Sequence, residues 1–273
     1  MSLRTDMAVE LRQQNAKVSG ITHEENQIAD GINLTKICIE SDETAKKLNR
    51  QKGDYITISI DEVAEDDAIS NLLNEILGEM LPDDGLILVV GLGNKYITPD
   101  SLGPTAAIKI NATRHISETL RKSFEIEDLR DVAVIAPGVL GQTGIETFEI
   151  IKAVCNSINP MAVLIIDALA AQDYKRIGKS LQITDTGIHP GSGVNGSRAE
   201  ISQKTLGIKT IAVGVPCVID AYNLVHDFID ESRETADINR YKNLIVAPTN
   251  IDEINEKWAE IIAHGINTAL SVS

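Results

Sequence analysis

Four short, unbroken aliphatic runs constrain this chain more than any other feature. They fall at residues 86–90, 132–136, 163–166 and 211–215. Helical-looking stretches, about 103–122 and 145–158, separate the first three. Continuous apolar strands alternating with helices are what a parallel sheet covered on both faces requires. The expected fold is therefore α/β and three-layered, a mostly parallel sheet flanked by helices. Aromatic residues are only 3% of the 273 residues, so this core must be built from Ile, Leu, Val and Ala.

The rest of the chain adds to that frame. Two β-rich stretches lie near Thr35–Ile39 and Tyr55–Ile60, and the second alternates Tyr55, Thr57 and Ser59 against Ile56, Ile58 and Ile60. That is the period of a half-buried strand. Ile69, Leu72, Leu73, Ile76, Leu77 and Met80 recur at helical spacing until Pro82. A last helix carries Ile251, Ile254, Trp258, Ile261, Ile262 and Ile266 on one stripe. Residues 1–30 are polar with little periodicity and read as an irregular extension. With no linker and no repeat, residues 31–273 read as a single α/β domain.

Charge narrows the partners. Acidic residues outnumber basic ones 40 to 25, for a net charge of -15. Such a surface repels phosphate backbones, so direct nucleic-acid binding is not expected. No run of about 18 apolar residues offers a membrane span, and residues 1–6 lack the apolar stretch of a secretory signal. A cytoplasmic protein is the expectation. Cys38, Cys155 and Cys217 form no CxxC pair and sit among aliphatic neighbours, which predicts buried free thiols.

Open parallel sheets bind ligands outside the carboxyl ends of their strands. Here those ends are rich in Gly and Pro: Gly91 to Pro104, Pro137 to Thr147, Asp167 to Ala171 and Asp185 to Gly193. Turn chemistry alone would also give such loops. Gly91-Leu92-Gly93 lacks the third glycine of a dinucleotide fingerprint, and no P-loop occurs. No GxSxG elbow supports a serine nucleophile, and no HExxH or paired His/Cys spacing marks zinc. Asp100 and Asp167 remain as two carboxylates at strand ends. In a water-poor cleft such a pair divides acid and base work and can activate water against an amide. Their bland alternative is a helix cap at Asp100 and loop hydrogen bonds at Asp167. A metal reading groups Asp100, Asp167 and His189 as ligands of a divalent cation.

Several of these strings together resemble the germination proteases of spore-forming bacteria. They are Gly91 to Asn94, Thr98 to Pro104, Thr113-Arg114-His115, Ala136 to Thr147, Ile166 to Ala171, Thr184 to Val194, Thr205 to Ile208 and Ile211 to Pro216. The resemblance implies an endopeptidase of atypical aspartic type that degrades small acid-soluble spore proteins during germination in the spore core. It implies no cofactor, a homotetramer, and Asp100 and Asp167 as the essential pair. It also implies an inactive zymogen that removes its own propeptide. Arg4-Thr5-Asp6-Met7-Ala8-Val9-Glu10 resembles the self-cleavage site, with the cut between Asp6 and Met7 and a short propeptide of residues 1–6. Gly141, Gln142, Thr143 and Gly144, with Gly191, Ser192 and Gly193, are the candidates for holding substrate backbone. The chain departs from the family at Gln172, where Arg is usual, and in the shortened stretch from Asp227 to Lys242. The sheet edge is also similar to the hydrogenase maturation proteases, with a phosphorylase/hydrolase-like architecture, which keeps a metal-dependent peptidase in view. A non-catalytic relative that binds such proteins is the third reading.

Overall fold

The computed structural model describes residues 5–14, 18–126, 129–191, 198–228 and 244–271. The first third contains α1 (Ala8–Gln14), β1 (Ile21–Ala29), β2 (Ile32–Ile39), α2 (Asp42–Leu48), β3 (Gly53–Ile60) and α3 (Asp66–Met80). Then come β4 (Ile87–Gly91), α4 (Leu102–Ile108), α5 (Glu118–Ser123), β5 (Val132–Ile135), α6 (Leu140–Thr143) and α7 (Thr147–Ile158). The last part holds β6 (Ala162–Ala171), β7 (Ser180–Thr184), α8 (Gln203–Leu206), β8 (Lys209–Asp220), α9 (Ala221–Phe228), β9 (Ile245–Val246) and α10 (Ile251–Leu270).

These strands form one mixed sheet in the order β1-β2-β3-β7-β8-β6-β4-β5, with β9 on the end of β8. The four aliphatic runs build its parallel half, β5-β4-β6-β8, as their continuous apolarity requires. The other half is antiparallel and joins through β7, which pairs with β3 on one side and β8 on the other.

Helices cover both faces. Ile87, Val89, Leu164, Ile166, Ile211 and Val213 point to one side and pack against α3, α4 and α10, around the fully buried Trp258, Ile262 and Ile266. Their alternates Leu88, Val90, Val163, Ile165 and Ala212 point to the other side, against Ile151 and Cys155 of α7. Further along that second face, Leu169, Tyr55, Ile37 and Ile39 pack against Met7, Ala8, Val9 and two residues of α2. The layering is therefore helix, sheet, helix.

Three local readings change. Residues 1–30 are not irregular throughout: α1 docks on the sheet, and β1 is an edge strand paired with β2 from Ile21↔Ile39 to Ala29↔Ile32. Eight of the nine residues of β1 are exposed, so no hydrophobic alternation marks it. The helix expected over 103–122 is two helices, separated where Asn111 N donates to Asn267 Oδ1 of α10 (2.9 Å). Strand β3 is covered on both faces: the N-terminal segment packs on Tyr55, and Thr57 on the same face is also fully buried. The three cysteines are free thiols, Cys155 and Cys217 buried and Cys38 partly so.

Candidate active site

Asp100 is placed by a glycine-dependent turn. Gly93 has φ +114°, a region that side chains avoid, and a Cβ there would collide with the Asp100 carbonyl oxygen. The bare backbone lets Asn94 N donate to Asp100 Oδ2 at 2.8 Å. Asp100 closes the 3-10 turn Thr98–Asp100, and Ser101, not Asp100, occupies the N-cap of α4. The α10 residue Asn255, buried, donates to Thr98 O (2.6 Å) and Ser101 Oγ (3.2 Å), tying the turn to the last helix. Gly103 lets the start of α4 rest directly on the backbone of Leu92 and Ile166.

Asp167 lies inside β6 rather than beyond it, because the strand runs four residues further to Ala171. It is 7% exposed, and Ala168 N donates to its Oδ1 at 2.9 Å. Burial, followed by the nearby charges of Asp100 and Asp6, pushes its carboxyl well above the usual range; the Ala168 amide and Arg198 oppose this only in part. Burial also raises Asp100, against the Asn94 amide and Arg198. Cys217 feels the same pair: burial, then Asp167 and Asp100, push its thiol up. The site thus holds two carboxyls in unequal surroundings, the arrangement that separates a proton donor from a proton acceptor.

The carboxyls open into a cavity of about 350 Å³ whose lining includes Asp6, Asp100, Asp167, Gly191, Arg198 and Ile245. The N-terminal segment forms part of this wall. Asp6 N donates to Ala170 O (2.8 Å), and Ala170 N donates back to Asp6 Oδ2 (2.9 Å). Gln182 Nε2 donates to Asp6 O (3.0 Å), and Ala8 N donates to Gln182 Oε1 (2.7 Å). Met7 is fully buried, and Arg50 donates to Thr5 O. Glu10, 3% exposed, anchors the far end: it accepts from Gln172 N (2.8 Å), Asp173 N (2.9 Å) and the Thr5 hydroxyl, and faces Arg176 at 3.4 Å. Burial still outweighs these partners and raises its carboxyl.

Other candidates from the sequence are placed unevenly. Gly191 lines the cavity, whereas Ser192 and Gly193 lie outside the described residues. Gly141, Gln142, Thr143 and Gly144 form the exposed α6 turn, which reaches the site through Gln142 Nε2 donating to Asn94 Oδ1 (2.6 Å). His189 does not join Asp100 and Asp167. It faces Glu200 at 3.5 Å and lines a small neighbouring cavity with Gln182, Gly214 and Asp6, which adjoins the carboxylate cavity at Asp6, and among the described residues no three His, Cys, Asp or Glu side chains gather as metal ligands. Most of the shortened stretch from Asp227 to Lys242 also lies outside the described residues.

Gln182, Arg198 and Asn255 escaped the sequence reading, and Glu10 entered it only as the end of the string that resembles the self-cleavage site, not as an anchor. Gln182 had a signal: Ser180-Leu181-Gln182-Ile183-Thr184 alternates as a short strand should, but five residues inside a polar stretch read as loop.

Paired carboxyls of this kind, at the edge of a parallel sheet, suit hydrolysis by activated water. Comparison with known proteins gives the class. The sequence profile described as germination protease matches residues 2–232. The germination protease of Clostridium perfringens is 38% identical, with 98% of this chain and 95% of that protein covered. That of Clostridium acetobutylicum is 39% identical over the same shares. Among solved structures, the [NiFe] hydrogenase maturation protease HycI from Thermococcus kodakarensis matches with a TM-score of 0.38 and 17% identity, over 70% of this chain and 98% of that one. The chain is a peptidase. It belongs to the germination protease family. No helix among the described residues is long and apolar enough to cross a membrane.

Proposed function

We propose that this chain is a spore endopeptidase that begins the degradation of small acid-soluble spore proteins at germination, with Asp100 and Asp167 activating water. One carboxyl, ionised, takes a proton from water as the oxygen attacks the peptide carbonyl carbon. The other, kept protonated by burial, gives its proton to the leaving amine. No metal or other cofactor enters this scheme. Family membership supports the germination role, and the net charge of -15 is compatible with attracting a DNA-binding protein as substrate.

The same reading makes the chain a zymogen that cuts itself between Asp6 and Met7. The observation that carries it is the path of Thr5–Ala8, which enters the cavity wall at Asp6 beside the carboxylate pair and has its backbone bonded to Ala170 and Gln182. A segment held like a substrate, in the cavity that a substrate would need, both blocks the site and presents a bond to it. A homotetramer in the spore core is the expected assembly and location.

Incubation with a purified small acid-soluble spore protein, with mass spectrometry of both chains, tests this. Discrete substrate fragments and loss of residues 1–6, both insensitive to chelator and both abolished in Asp167→Asn, are the expected result. Cleavage that stops with chelator would favour a metal-dependent peptidase. Tight binding without turnover, by the full chain and by a chain starting at Met7, would favour a non-catalytic relative.

A further inference from the structure

Three adjacent strands bring Asp167, Gly214 and Gln182 to one level of the sheet. Gly214 of β8 pairs with Asp167 on β6 and with Gln182 on β7. Directly paired residues point to the same face, so the two side chains flank a trough floored by Gly214 and by the Leu169 side chain that lies over it. Thr5–Ala8 passes along this trough. Across the trough from the carboxylate, Gln182 Nε2 donates to the carbonyl oxygen of Asp6 at 3.0 Å.

The orientation of that amide is fixed by its other end. Ala8 N donates to Gln182 Oε1 at 2.7 Å, so the NH2 group must be the end that faces Asp6 O. Gln182 is 6% exposed, which removes water as a competing partner. A buried, pre-aimed and neutral donor at a carbonyl oxygen is what stabilises negative charge developing there. In the scheme above the two carboxyls carry the protons of water and of the leaving amine, and Gln182 adds a donor that takes no part in that transfer.

We propose that Gln182 is the oxyanion donor of this peptidase, its side-chain amide holding the carbonyl oxygen of the residue before the cut. The inference rests on the reading of Asp6–Met7 as a bond presented to the site. As water adds to the carbonyl carbon of Asp6, a C–O bond forms and the carbonyl π pair moves onto oxygen, where Gln182 Nε2–H meets it. The proton of the water passes to the ionised carboxylate. Collapse restores the carbonyl and breaks the C–N bond, and the protonated carboxyl supplies the proton for the Met7 amine. Residue 6 ends as a carboxylic acid, residue 7 as an amine, and no co-reactant other than water is used.

The test compares the full wild-type chain with Gln182→Glu, Gln182→Ala and Asp167→Asn. Mass spectrometry follows the Asp6–Met7 bond, and purified small acid-soluble spore protein serves as separate substrate with kcat and KM read apart. Gln182→Glu keeps an acceptor for Ala8 N and loses the donor, so kcat on either bond should fall about 10²–10³-fold with KM changed little. Gln182→Ala should fall by as much. Near-wild-type Tm and circular dichroism exclude misfolding as the cause. Cleavage by Gln182→Glu within about threefold of wild type, or a loss confined to KM, overturns the proposal. A wild-type chain that cuts the added protein but never Asp6–Met7 overturns the self-cleavage reading alone, and kcat on the added protein still decides Gln182. A wild-type chain that cuts neither overturns both.

Discussion

Replacing Asp167 with Asn should stabilise the protein while silencing it, and the gain should grow with pH. Asp167 has its carboxyl raised by burial and by the charges of Asp100 and Asp6. Between the ordinary value of 3.8 and that raised value, the native carboxyl keeps its proton while the unfolded one has lost it. The native state then binds one more proton, so stability falls as pH rises, by about 1.4 kcal/mol per unit. Below about pH 4 both states are protonated and nothing is lost; above the native value both are ionised and the loss is complete. Asn cannot titrate. The stability of Asp167→Asn minus that of wild type should therefore be flat in acid, climb by about 1.4 kcal/mol per pH unit, and level off. In thermal unfolding this is roughly 3–6 °C per pH unit for a chain of this size. Asp100, Glu10 and Asp185 are also raised, but they are present in both proteins and largely cancel in the difference. Unfolding curves for the two proteins at intervals from pH 4 to pH 8, with peptidase activity measured alongside, decide it. Parallel stability–pH profiles would refute the claim that burial holds this carboxyl neutral.

Two further substitutions test how the site is held. Gly103→Ala places a Cβ against Leu92 O and 2.5 Å from Ile166 O, both backbone atoms that cannot rotate away. It should cost about 3 kcal/mol, roughly 6–12 °C in Tm, and displace the Asp100 turn; an unchanged Tm would mean that α4 does not rest on the strand ends. Arg176→Ala strips Glu10 of its cationic neighbour and leaves the carboxylate buried, which should loosen Thr5–Arg12 by about 1–3 kcal/mol. Because the native carboxyl of Glu10 lies above its unfolded value, the loosening should be greatest at neutral pH and fade on acidification. Amide exchange over residues 5–12 reads it, and exchange indifferent to both the substitution and pH would count against the anchor.

The parallel half of the sheet was legible in the sequence because both of its faces are covered, so Ile87 to Val90 and Val163 to Ile166 carry no polar residue to blur the signal. Asp100 followed from the same runs through the rule that loops after parallel strands form the site. Asp167 followed too, although the strand continues past it. Strand β1 gave no signal because almost all of it is exposed, and only its pairing with β2 defines it. The N-terminal segment was hidden for a different reason. Met7, Ala8 and Val9 are only three apolar residues, too few for a period, and their burial depends on Leu169, Tyr55, Ile37 and Ile39 from distant parts of the chain. Gln182 and Glu10 gain meaning only once that segment is docked. Local pattern therefore reports the scaffold and the carboxyls, while the groups that grip backbone emerge from tertiary contact.

The dual character of Met7 gives the proposed self-cleavage its direction. While the chain is intact, Met7 N is an amide that donates to Thr5 Oγ1 at 2.9 Å, and the side chain is fully buried in the cluster with Tyr55 and Leu169. A cut between Asp6 and Met7 turns that amide into an amine that is cationic at neutral pH, and gives residue 6 a second carboxylate beside Asp167 and Asp100. Both new charges would be generated where burial already pushes Asp167 to its neutral form. Unpaired charge in such a place costs several kcal/mol, comparable to what burying one Met side chain contributes, roughly 2–3 kcal/mol. The cut should therefore expel residues 1–6 and undock Met7–Val9, clearing the cavity for substrate. Amide exchange over residues 7–12 should rise after cleavage while that of β6 and β8 stays slow. A cut chain in which 7–12 remains as protected as in the intact one would show that the pocket tolerates the new terminus, and that cleavage alone does not open the site.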